Sequence, residues 1–152
     1  RIILSGLNAE RVLIAAECIG DAYWFIDKAS AYARTRIVFD KPIGQNQGIQ
    51  FPIAKAYAAT KAADAIRYQA AALHDAGLAY GTEANMAKML CADASWEAAN
   101  MCLQTHGGFG FAAEYDVERK FRETRLYQVA PISTNLILAY IGEHVLDLPR
   151  SY

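Results

Sequence analysis

The sequence predicts an all-α fold, an up-and-down four-helix bundle with an additional short helix. Apolar residues recur at spacings of three and four along most of the 152 residues, and this is the period of an amphipathic helix. The β-branched residues follow no period-two pattern, so strand signals are poor. Short turns between long helices place consecutive helices side by side as antiparallel neighbours.

The first helix is expected to run from Asn8, a plausible N-cap, to about Arg36. Its predicted inner face is a stripe at helical spacing, formed by Val12, Ala16, Ile19, Tyr23, Ile26, Ser30 and Ala33. A connection follows, because the segment Asp40-Lys41-Pro42 and the glycines Gly44 and Gly48 interrupt the helical pattern.

The second helix is expected to begin between Gly48 and Pro52, since proline fits without a kink only in the first turn, and to end near Ala76. Its predicted face consists of Phe51, Ala54, Ala58, Ala62, Ala65, Gln69 and Leu73. Thr82 is the expected cap of a third helix. That helix carries a stripe of small residues, Ala84, Ala87, Cys91, Ala94, Ala98, Met101 and Thr105, and small residues let helix axes approach closely.

A glycine-rich loop separates the third helix from two shorter ones. Gln104 to Gly110 contains three glycines within four residues, which removes Cβ atoms where the backbone turns tightly or approaches another group. Asp116 is the expected cap of a short helix that ends near Thr124, and a last helix is expected from about Pro131 to Leu146.

Composition and charge exclude several classes of function. Fifteen Lys and Arg against sixteen Asp and Glu give a net charge of −1, so no basic patch dominates and a nucleic-acid partner is not expected. A hydrophobic content of 54% with 20% charged residues is typical of a packed domain. No apolar run approaches the roughly 18 residues of a membrane span. Because the chain begins at Arg1, residues 1-152 are expected to be one domain of a longer polypeptide.

The cysteines and histidines are not expected to carry catalytic chemistry. The three cysteines sit in helical patterns without metal-ligand spacing, and buried free thiols are expected at Cys18, Cys91 and Cys102. For His106, inside the glycine-rich loop, the alternatives are contact with a cofactor and packing at an interface, and packing at an interface is favoured. No role is assigned to His74 or His144, and no metal site is expected.

Two spaced motifs carry a resemblance to a known family. One is Arg36-x-x-Phe39 followed by Gln47, and the other is Gln104-x-x-Gly107-Gly108-x-Gly110 followed by the charged segment from Glu114 to Arg125. Together they resemble the C-terminal helical domain of the acyl-CoA dehydrogenases, flavoproteins that desaturate acyl-CoA thioesters. The likeness extends from Ser5-Gly6-Leu7 to the final helix.

The resemblance implies FAD as cofactor, and it implies which residues contact it. Arg36, Val38, Phe39 and Gln47 match positions that contact the pyrophosphate and adenosine of a neighbouring subunit's FAD, and an arginine fork suits phosphate oxygens. Gln104, Gly107 and Gly108 match the other contact, at the adenine end. Ser133 and Asn135 match polar positions that reach the flavin.

The resemblance also implies where the catalytic base lies. The family's common base is a Glu before Gly-Thr near the start of the last helix, but Pro131 stands there in this sequence, and proline cannot accept a proton. A minority of members, of the isovaleryl and long-chain type, place the base on the first helix immediately before an Arg. Glu10 holds that position, while Arg11 and Asn8 match residues near the CoA moiety. A carboxylate in an apolar, water-poor pocket is suited to proton abstraction.

The implied reaction is α,β-desaturation of an acyl-CoA, with hydride transfer to FAD and electron transfer flavoprotein as partner. A homo-oligomer, dimer or tetramer, is expected, in the cytoplasm of a bacterium or the mitochondrial matrix of a eukaryote. The isolated chain is expected to be inactive and to bind FAD weakly. One alternative is a catalytically silent subunit of the same fold, which is favoured by Pro131, by Ile132 and by Asp40, where the family usually has Gly, and which Glu10 opposes. The others are an acyl-CoA oxidase and a helical interaction domain without flavin.

Overall fold

The computed structural model describes residues 2–150, with side chains from Leu7 onward. Within this range the fold is all-α, as predicted. The α-helices are α1 (Ile2–Thr35), α2 (Gln47–Asp75), α3 (Gly81–His106), α4 (Val117–Arg125) and α5 (Thr134–His144). Two-residue strands, β1 (Ile37–Val38) and β2 (Lys41–Pro42), pair as an antiparallel hairpin. Short 3-10 turns occupy Ile43–Gln45, Gly107–Phe111, Ala113–Tyr115 and Leu126–Gln128.

The helices α1 and α3 run parallel and pack along their lengths. Near one end, Asn8 Nδ2 lies 3.4 Å from the position that a Cβ on Gly81 would take. At the other end, the Tyr32 ring stacks on His106 with centroids 4.2 Å apart. The C-terminal ends of both helices therefore meet at the same end of the bundle.

The helix α2 runs antiparallel to both of its long neighbours. Its middle packs on the first half of α3, where the Cys91 thiol lies 3.4 Å from the Ala63 carbonyl. Toward its start, the Tyr57 ring lies 6.4 Å from Tyr23 of α1. At the beginning of α5, the Lys88 amine of α3 donates to the Ile132 carbonyl at 2.7 Å. The up-and-down arrangement is the one that the short connections predict.

The small-residue stripe predicted on α3 is confirmed, because all of its members are buried: Ala84, Ala87, Cys91, Ala94, Ala98, Met101 and Thr105. They lie in the two apolar clusters or beside them. One cluster joins α3 to Phe25 and Ala29 of α1, and the other joins it to Cys18 of α1 and Ala63 of α2. The helix α3 is therefore the centre of the bundle.

The predicted inner face of α2 is wrong. Its residues are exposed apart from Leu73, which is half-buried, and the buried positions are Ala56, Thr60, Ala63 and Ala70. Alanines surround this helix on most sides, so apolar periodicity does not select a face. Thr60 is tolerated in the core because its hydroxyl donates to the Ala56 carbonyl at 2.8 Å.

The predicted face of α1 is largely right, with one exception. Ala16 is exposed, whereas Ile19, Ile26 and Ala33 are buried, and Val12, Tyr23 and Ser30 are half-buried. The complete buried stripe comprises Ala15, Cys18, Ile19, Ala22, Phe25, Ile26, Ala29 and Ala33. A helix packed between two partners buries a wider sector than one stripe, which is why the neighbouring positions are also enclosed.

Two predicted N-caps are wrong. The helix α1 begins at Ile2, so Asn8 lies inside it, where its Oδ1 accepts from Arg11 Nη1 at 2.5 Å. Thr82 is the second residue of α3, and Tyr80 occupies the N-cap position. Polar side chains of these types also serve within helices when a nearby partner is present, so residue type alone does not mark a helix start.

The bounds predicted for α4 are confirmed, because Asp116 precedes the helix and it ends at Arg125, whereas the last helix begins later and ends earlier than predicted. Asp116 is the N-cap residue of α4, but its carboxylate binds Arg119 at 2.6 and 2.8 Å instead of the helix N–H groups. The last helix begins at Thr134, not at Pro131. Ser133 caps it, since its hydroxyl accepts from the Leu136 N–H at 3.5 Å.

The segment after α1 forms a tight hairpin within the predicted connection. The loop residues Phe39 and Asp40 have φ values of 52° and 62°, as a type I′ turn requires at both central positions. Aspartate tolerates this left-handed conformation better than most residues, so Asp40 is compatible with the turn.

The three cysteines are buried and free, as predicted. Burial raises the pKa of the Cys91 and Cys102 thiols to about 12 and that of Cys18 further, so all three remain protonated near neutral pH. Within residues 2–150, no helix has the length and apolarity needed to cross a membrane. The same part of the chain contains no group of three or more His, Cys, Asp and Glu side chains placed to hold a metal ion.

The packing of the 3-10 turn after β2 on α1 generates a stability prediction. A Cβ on Gly44 would lie 2.9 Å from the Ala33 carbonyl oxygen, and backbone cannot move aside cheaply. We expect Gly44→Ala to lower the free energy of unfolding by about 1–3 kcal/mol. The matched control is Gly20→Ala, in α1 with no atom within 4 Å, which is expected to raise it by about 0.5–1 kcal/mol. Thermal unfolding followed by circular dichroism compares the two, and equal melting temperatures would contradict the prediction.

Candidate functional site

The common end of α1 and α3 encloses a cavity of about 500 Å³, called the loop cavity here. It brings together residues that lie about 70 positions apart in sequence. Its lining is formed by Tyr32, Arg36, Val38, Ile43, Gln104, Thr105, His106, Gly107, Gly108 and Phe109. Five of the predicted flavin contacts are thus assembled in one place: Arg36, Val38, Gln104, Gly107 and Gly108.

Arg36 is the cation of the loop cavity. It follows the last residue of α1, and its N–H still donates to the Tyr32 carbonyl at 2.8 Å. Its own carbonyl accepts from the Ile43 N–H at 2.9 Å, which closes the hairpin beneath it. The guanidinium carbon stands 5.2 Å from the centre of the Phe109 ring, within cation–π range. The side chain is therefore anchored on both the hairpin and the glycine turn, while its N–H groups stay available to an anion.

The glycine turn follows α3 and shapes the other wall. Gly107 has φ 59° and ψ −135°, a region that residues with a Cβ rarely adopt. Its N–H donates back to the carbonyls of Leu103 and Gln104, which ends the helix. Positions Gly107 and Gly108 have no atom within 4 Å of an ideal Cβ, so the backbone of this turn faces open space.

Gly110 serves packing instead. A Cβ there would lie 2.9 Å from Leu103 Cδ1 and 3.0 Å from the Leu103 carbonyl oxygen. The turn therefore has to fold back tightly on the last turn of α3. Gly107 and Gly108 thus leave the backbone of the turn accessible from the cavity, and Gly110 lets the turn pack closely on α3.

His106 packs inside the domain, not at an exposed interface as predicted. It is 4% exposed, and its ring is stacked on Tyr32 and set edge-on to Tyr115 at 5.6 Å. Its Nδ1 lies 2.8 Å from the Cys102 carbonyl. Burial lowers the pKa of His106, and the Lys28 cation acts in the same direction, so the ring is neutral near pH 7.

Four of the predicted flavin contacts, all within the described residues, lie outside the loop cavity. Phe39 is 91% exposed at the tip of the hairpin, and Gln47 is exposed as the first residue of α2. Ser133 and Asn135 lie at the start of α5. The single chain thus assembles part of the predicted set and leaves the rest on its surface.

A second cavity, called the polar cavity here, has a volume of about 420 Å³ and lies between α1, α3 and α5. It is lined by Asn8, Arg11, Gly81, Asn85, Ile132, Tyr140 and His144. The two predicted CoA contacts, Asn8 and Arg11, therefore share one cavity and one hydrogen bond. Burial lowers the pKa of Arg11, yet a guanidinium stays charged at any physiological pH.

The polar cavity holds two enclosed atoms with unused hydrogen-bonding capacity. Arg11 Nε and Asn85 Oδ1 are buried without a partner among the described residues. Asn85 is 4% exposed, and its amide nitrogen donates to the Gly81 carbonyl at 2.9 Å. One donor and one acceptor are thus left unpaired inside the protein, and leaving such groups unpaired costs about 1–3 kcal/mol each.

Glu10 lies on an exposed face of α1 and not in either cavity. Leu7 and Leu13, one turn before and after it, share this face and are 37% and 67% exposed. The predicted base therefore stands within an apolar strip that nothing in the described chain covers. Its neighbour Arg11 points to the other side, into the polar cavity.

Sequence reasoning missed several lining residues. Tyr32 stands four residues before Arg36, and His144 and Tyr140 stand four apart on α5, so each pair shares a helix face. Asn85 stands four residues after Gly81. A spacing of four residues is visible in the sequence, but it is as common on helix faces that only pack against other helices as it is in binding sites. Only the packing of the three helices shows that these side chains meet in one cavity.

The conformation of the glycine turn generates a prediction with a control one residue away. Gly107→Ala places a Cβ at φ 59° without a steric clash, so strain alone should lower the free energy of unfolding by about 1–3 kcal/mol. Gly108→Ala meets open space and lacks the positive φ, so it is expected to be nearly neutral. Denaturant unfolding of both variants tests this, and equal losses of stability would show that Gly107 is not specially strained.

Comparison with known proteins agrees with this geometry. Residues 1–146 match the model of the acyl-CoA dehydrogenase C-terminal domain. Acyl-CoA dehydrogenase FadE12 of Mycobacterium tuberculosis is 37% identical over 152 residues, which are 99% of this chain and 39% of that protein. An acyl-CoA dehydrogenase of Bacillus subtilis is 37% identical over 145 residues, covering 95% of this chain and 38% of its own length.

The fold is also that of solved members. A glutaryl-coenzyme A dehydrogenase in complex with glutaryl-CoA superimposes with a TM-score of 0.93 at 32% identity, over 99% of this chain and 38% of that one. The chain thus spans about two fifths of the length of the relatives it matches. By its sequence and its fold, this chain belongs to the acyl-CoA dehydrogenase family, of which it represents the C-terminal helical domain.

Proposed function

We propose that this chain is the C-terminal domain of an FAD-dependent acyl-CoA dehydrogenase that desaturates an acyl-CoA thioester between its α and β carbons. The observation that carries the proposal is the loop cavity, in which a hydrogen-bonding glycine turn and one arginine, distant in sequence, meet at a common helix end. Membership of the family supports the same function.

The residues of the loop cavity fit the adenosine diphosphate part of FAD. The Arg36 guanidinium suits a pyrophosphate oxygen, with which it can form paired hydrogen bonds. The open backbone at Gly107 and Gly108 allows a phosphate or ribose to approach closely. Tyr32 and Phe109 add aromatic surface, and Gln104 adds an amide that both donates and accepts. FAD supplies the hydride acceptor when it is bound.

The predicted contacts outside the loop cavity support a site completed by a second subunit. Phe39 and Gln47 are exposed beside the hairpin, and Ser133 and Asn135 lie at the start of α5. We therefore propose a homo-oligomer, a dimer or tetramer, in which an FAD bridges two copies. The exposed apolar side chains Phe39, Phe51 and Phe111, at 91%, 60% and 71% exposure, are surfaces that such assembly would cover.

The polar cavity is the proposed contact with the CoA moiety. It is lined by hydrogen-bonding side chains, among them those of Arg11, Asn85 and Tyr140, which suit the donor and the acceptor of a secondary amide. The pantetheine arm of CoA carries such amides. Asn8 supports this contact indirectly, because its Oδ1 accepts a hydrogen bond from Arg11 Nη1 and so holds the guanidinium in place.

Glu10 is the proposed catalytic base, and its role is to remove the α-proton of the thioester. The exposed leucines on both sides of it, Leu7 and Leu13, provide the apolar surface on which an acyl group could lie. A carboxylate that becomes enclosed there by substrate and neighbouring domains loses water, which suits proton abstraction. A base on the first helix is compatible with bulky, branched or long acyl groups.

Electron transfer flavoprotein is the proposed electron acceptor of the whole enzyme. The compartment is proposed to be the cytoplasm in a bacterium or the mitochondrial matrix in a eukaryote. We propose further that residues 1-152 alone are inactive and bind FAD weakly, because the chain spans only 39% of its relative from Mycobacterium tuberculosis.

A catalytically silent subunit of the same fold is the second candidate. It is favoured by Pro131, which lies in the segment before α5 and has no group able to take a proton. In that case the whole protein would bind FAD and fail to turn over any acyl-CoA. An acyl-CoA oxidase is distinguished by whether oxygen replaces a dye as electron acceptor.

The first prediction from this proposal concerns cofactor affinity. In the whole protein, Arg36→Met should weaken FAD binding by about 10- to 100-fold, because a charge-assisted hydrogen bond contributes about 1.5–3 kcal/mol. The control is Arg34→Met, an exposed arginine of α1 outside the loop cavity, which should leave the affinity unchanged. Quenching of flavin fluorescence measures both. Equal affinity of the two variants would remove Arg36 from the site.

The second prediction concerns the base. Glu10→Gln in the whole enzyme should lower the rate of dye reduction by about 10²–10⁴-fold or more, while the flavin absorbance of the purified protein is retained. Glu17→Gln, a change of another exposed acid on α1, is the matched control and should keep full activity. An acyl-CoA panel provides the assay. Activity retained by the Glu10→Gln protein would refute the assignment, and wild-type protein that is yellow but inactive would favour the silent subunit.

A further inference from the structure

The hydrogen bond of His106 fixes which of its nitrogens carries the proton. Nδ1 lies 2.8 Å from the Cys102 carbonyl oxygen, and a carbonyl oxygen can only accept, so Nδ1 is the donor. In a neutral imidazole the other nitrogen then carries a lone pair. His106 is therefore an acceptor at Nε2.

The surroundings of the ring lock this arrangement. Tyr32 covers one face at a centroid distance of 4.2 Å and a tilt of 23°, and Tyr115 lies edge-on at 5.6 Å. The ring cannot turn over without breaking the stack and the bond to Cys102. Burial and the Lys28 cation lower the pKa of His106, which keeps the lone pair on Nε2 near neutral pH.

The free acceptor is not sealed off from solvent. Among the described residues, Nε2 has no hydrogen-bond partner, and it is not one of the fully enclosed unpartnered atoms, which are Arg11 Nε, Asp21 Oδ2 and Asn85 Oδ1. His106 is one of the residues that line the loop cavity, so the loop cavity is where we infer that Nε2 meets a ligand. A guest at this point needs an N–H or O–H group.

We propose that His106 is a specificity-determining residue of the dinucleotide site, where its Nε2 accepts a hydrogen bond from the exocyclic amine of adenine. This inference rests on the proposed function, because it assumes that the loop cavity receives the adenosine end of FAD. Adenine offers an amino group at the position where hypoxanthine and guanine offer a carbonyl oxygen. A carbonyl oxygen at that position would face the lone pair of His106 Nε2, and two acceptors cannot form a hydrogen bond with each other.

The discrimination follows from the fixed tautomer. Gln104 could adapt to either base, because an amide can rotate to present its donor or its acceptor. His106 cannot adapt without losing its bond to Cys102. A site built around a buried hydrogen bond rejects the analogue that cannot make it more strongly than an apolar site would.

The test compares FAD with its deaminated analogue, flavin hypoxanthine dinucleotide, in the whole protein after removal of bound flavin. The analogue carries a carbonyl oxygen in place of the exocyclic amine and a proton on the neighbouring ring nitrogen N1, and the rest of the molecule is unchanged. Wild-type protein should bind FAD about tenfold more tightly or better, as expected when one buried polar group is left unpaired. His106→Phe, which keeps an aromatic ring against Tyr32, should reduce the affinity ratio to about one. Fluorescence quenching gives the dissociation constants of each variant for FAD and for the analogue. The ratio of the two is therefore obtained within one variant, and a general loss of affinity does not change it.

The matched control is His74→Phe. His74 also carries a ring contact with a tyrosine, Tyr80 at 5.0 Å, but it lies in the last turn of α2, beside the start of α3 and far from the loop cavity. This variant should keep the wild-type ratio. A second measurement needs no variant: nitrogen-15 NMR of the wild-type imidazole should show Nδ1 protonated and Nε2 bare.

The possible results separate the inference about His106 from the proposed function. A wild-type ratio near one, a ratio unchanged in His106→Phe, or a proton on Nε2 would overturn the inference while FAD binding and the proposed function stand. Failure of FAD to bind the whole protein would overturn both the inference and the proposed function.

Discussion

The close approach of α1 and α2 to α3 is the constraint on which the rest of the structure depends. Small residues on α3 permit it, since alanine and cysteine at the contact bring helix axes nearer than larger side chains would. Ala87, Cys91 and Ala98 are fully enclosed between the partners. This packing fixes α1 parallel to α3 along their shared length. Their C-terminal ends therefore coincide, and the Tyr32–His106 stack joins them there.

The meeting of two helix C-termini creates an electrostatic problem for an anionic ligand, because each terminus carries partial negative charge. Local structure offsets it on both sides. On α1, Arg36 places a full positive charge just after the helix end, held by the hairpin and by Phe109. On α3, the single N–H of Gly107 donates to the Leu103 and Gln104 carbonyls and satisfies them. The loop cavity is thus a place where helix-end carbonyls are capped and one cation remains available.

The departures from the family pattern leave the scaffold intact. Asp40 adopts the left-handed conformation of the hairpin turn at φ 62°, so the strands still pair. Pro131 lies before α5, where Ser133 performs the capping. The segment is tied to the bundle by the Lys88 amine, which is fully buried and donates to the Ile132 carbonyl. A buried lysine is costly without such a partner. These substitutions change the chemistry that the site could perform more than the architecture that holds it.

By itself, the sequence determined the helical class, the buried stripe of α3 and the motif residues of the loop cavity, because periodicity and glycine spacing act locally. Tertiary structure decided which face of α2 is buried, since an alanine-rich helix presents apolar residues on most sides and only its neighbours choose among them. It also decided the interior position of His106 and the convergence of Arg11 with Asn85, which stand far apart in the chain. These features arise from the packing of three helices against one another. The contacts that stabilise this packing involve residues of different helices, so the periodicity of one helix does not predict them.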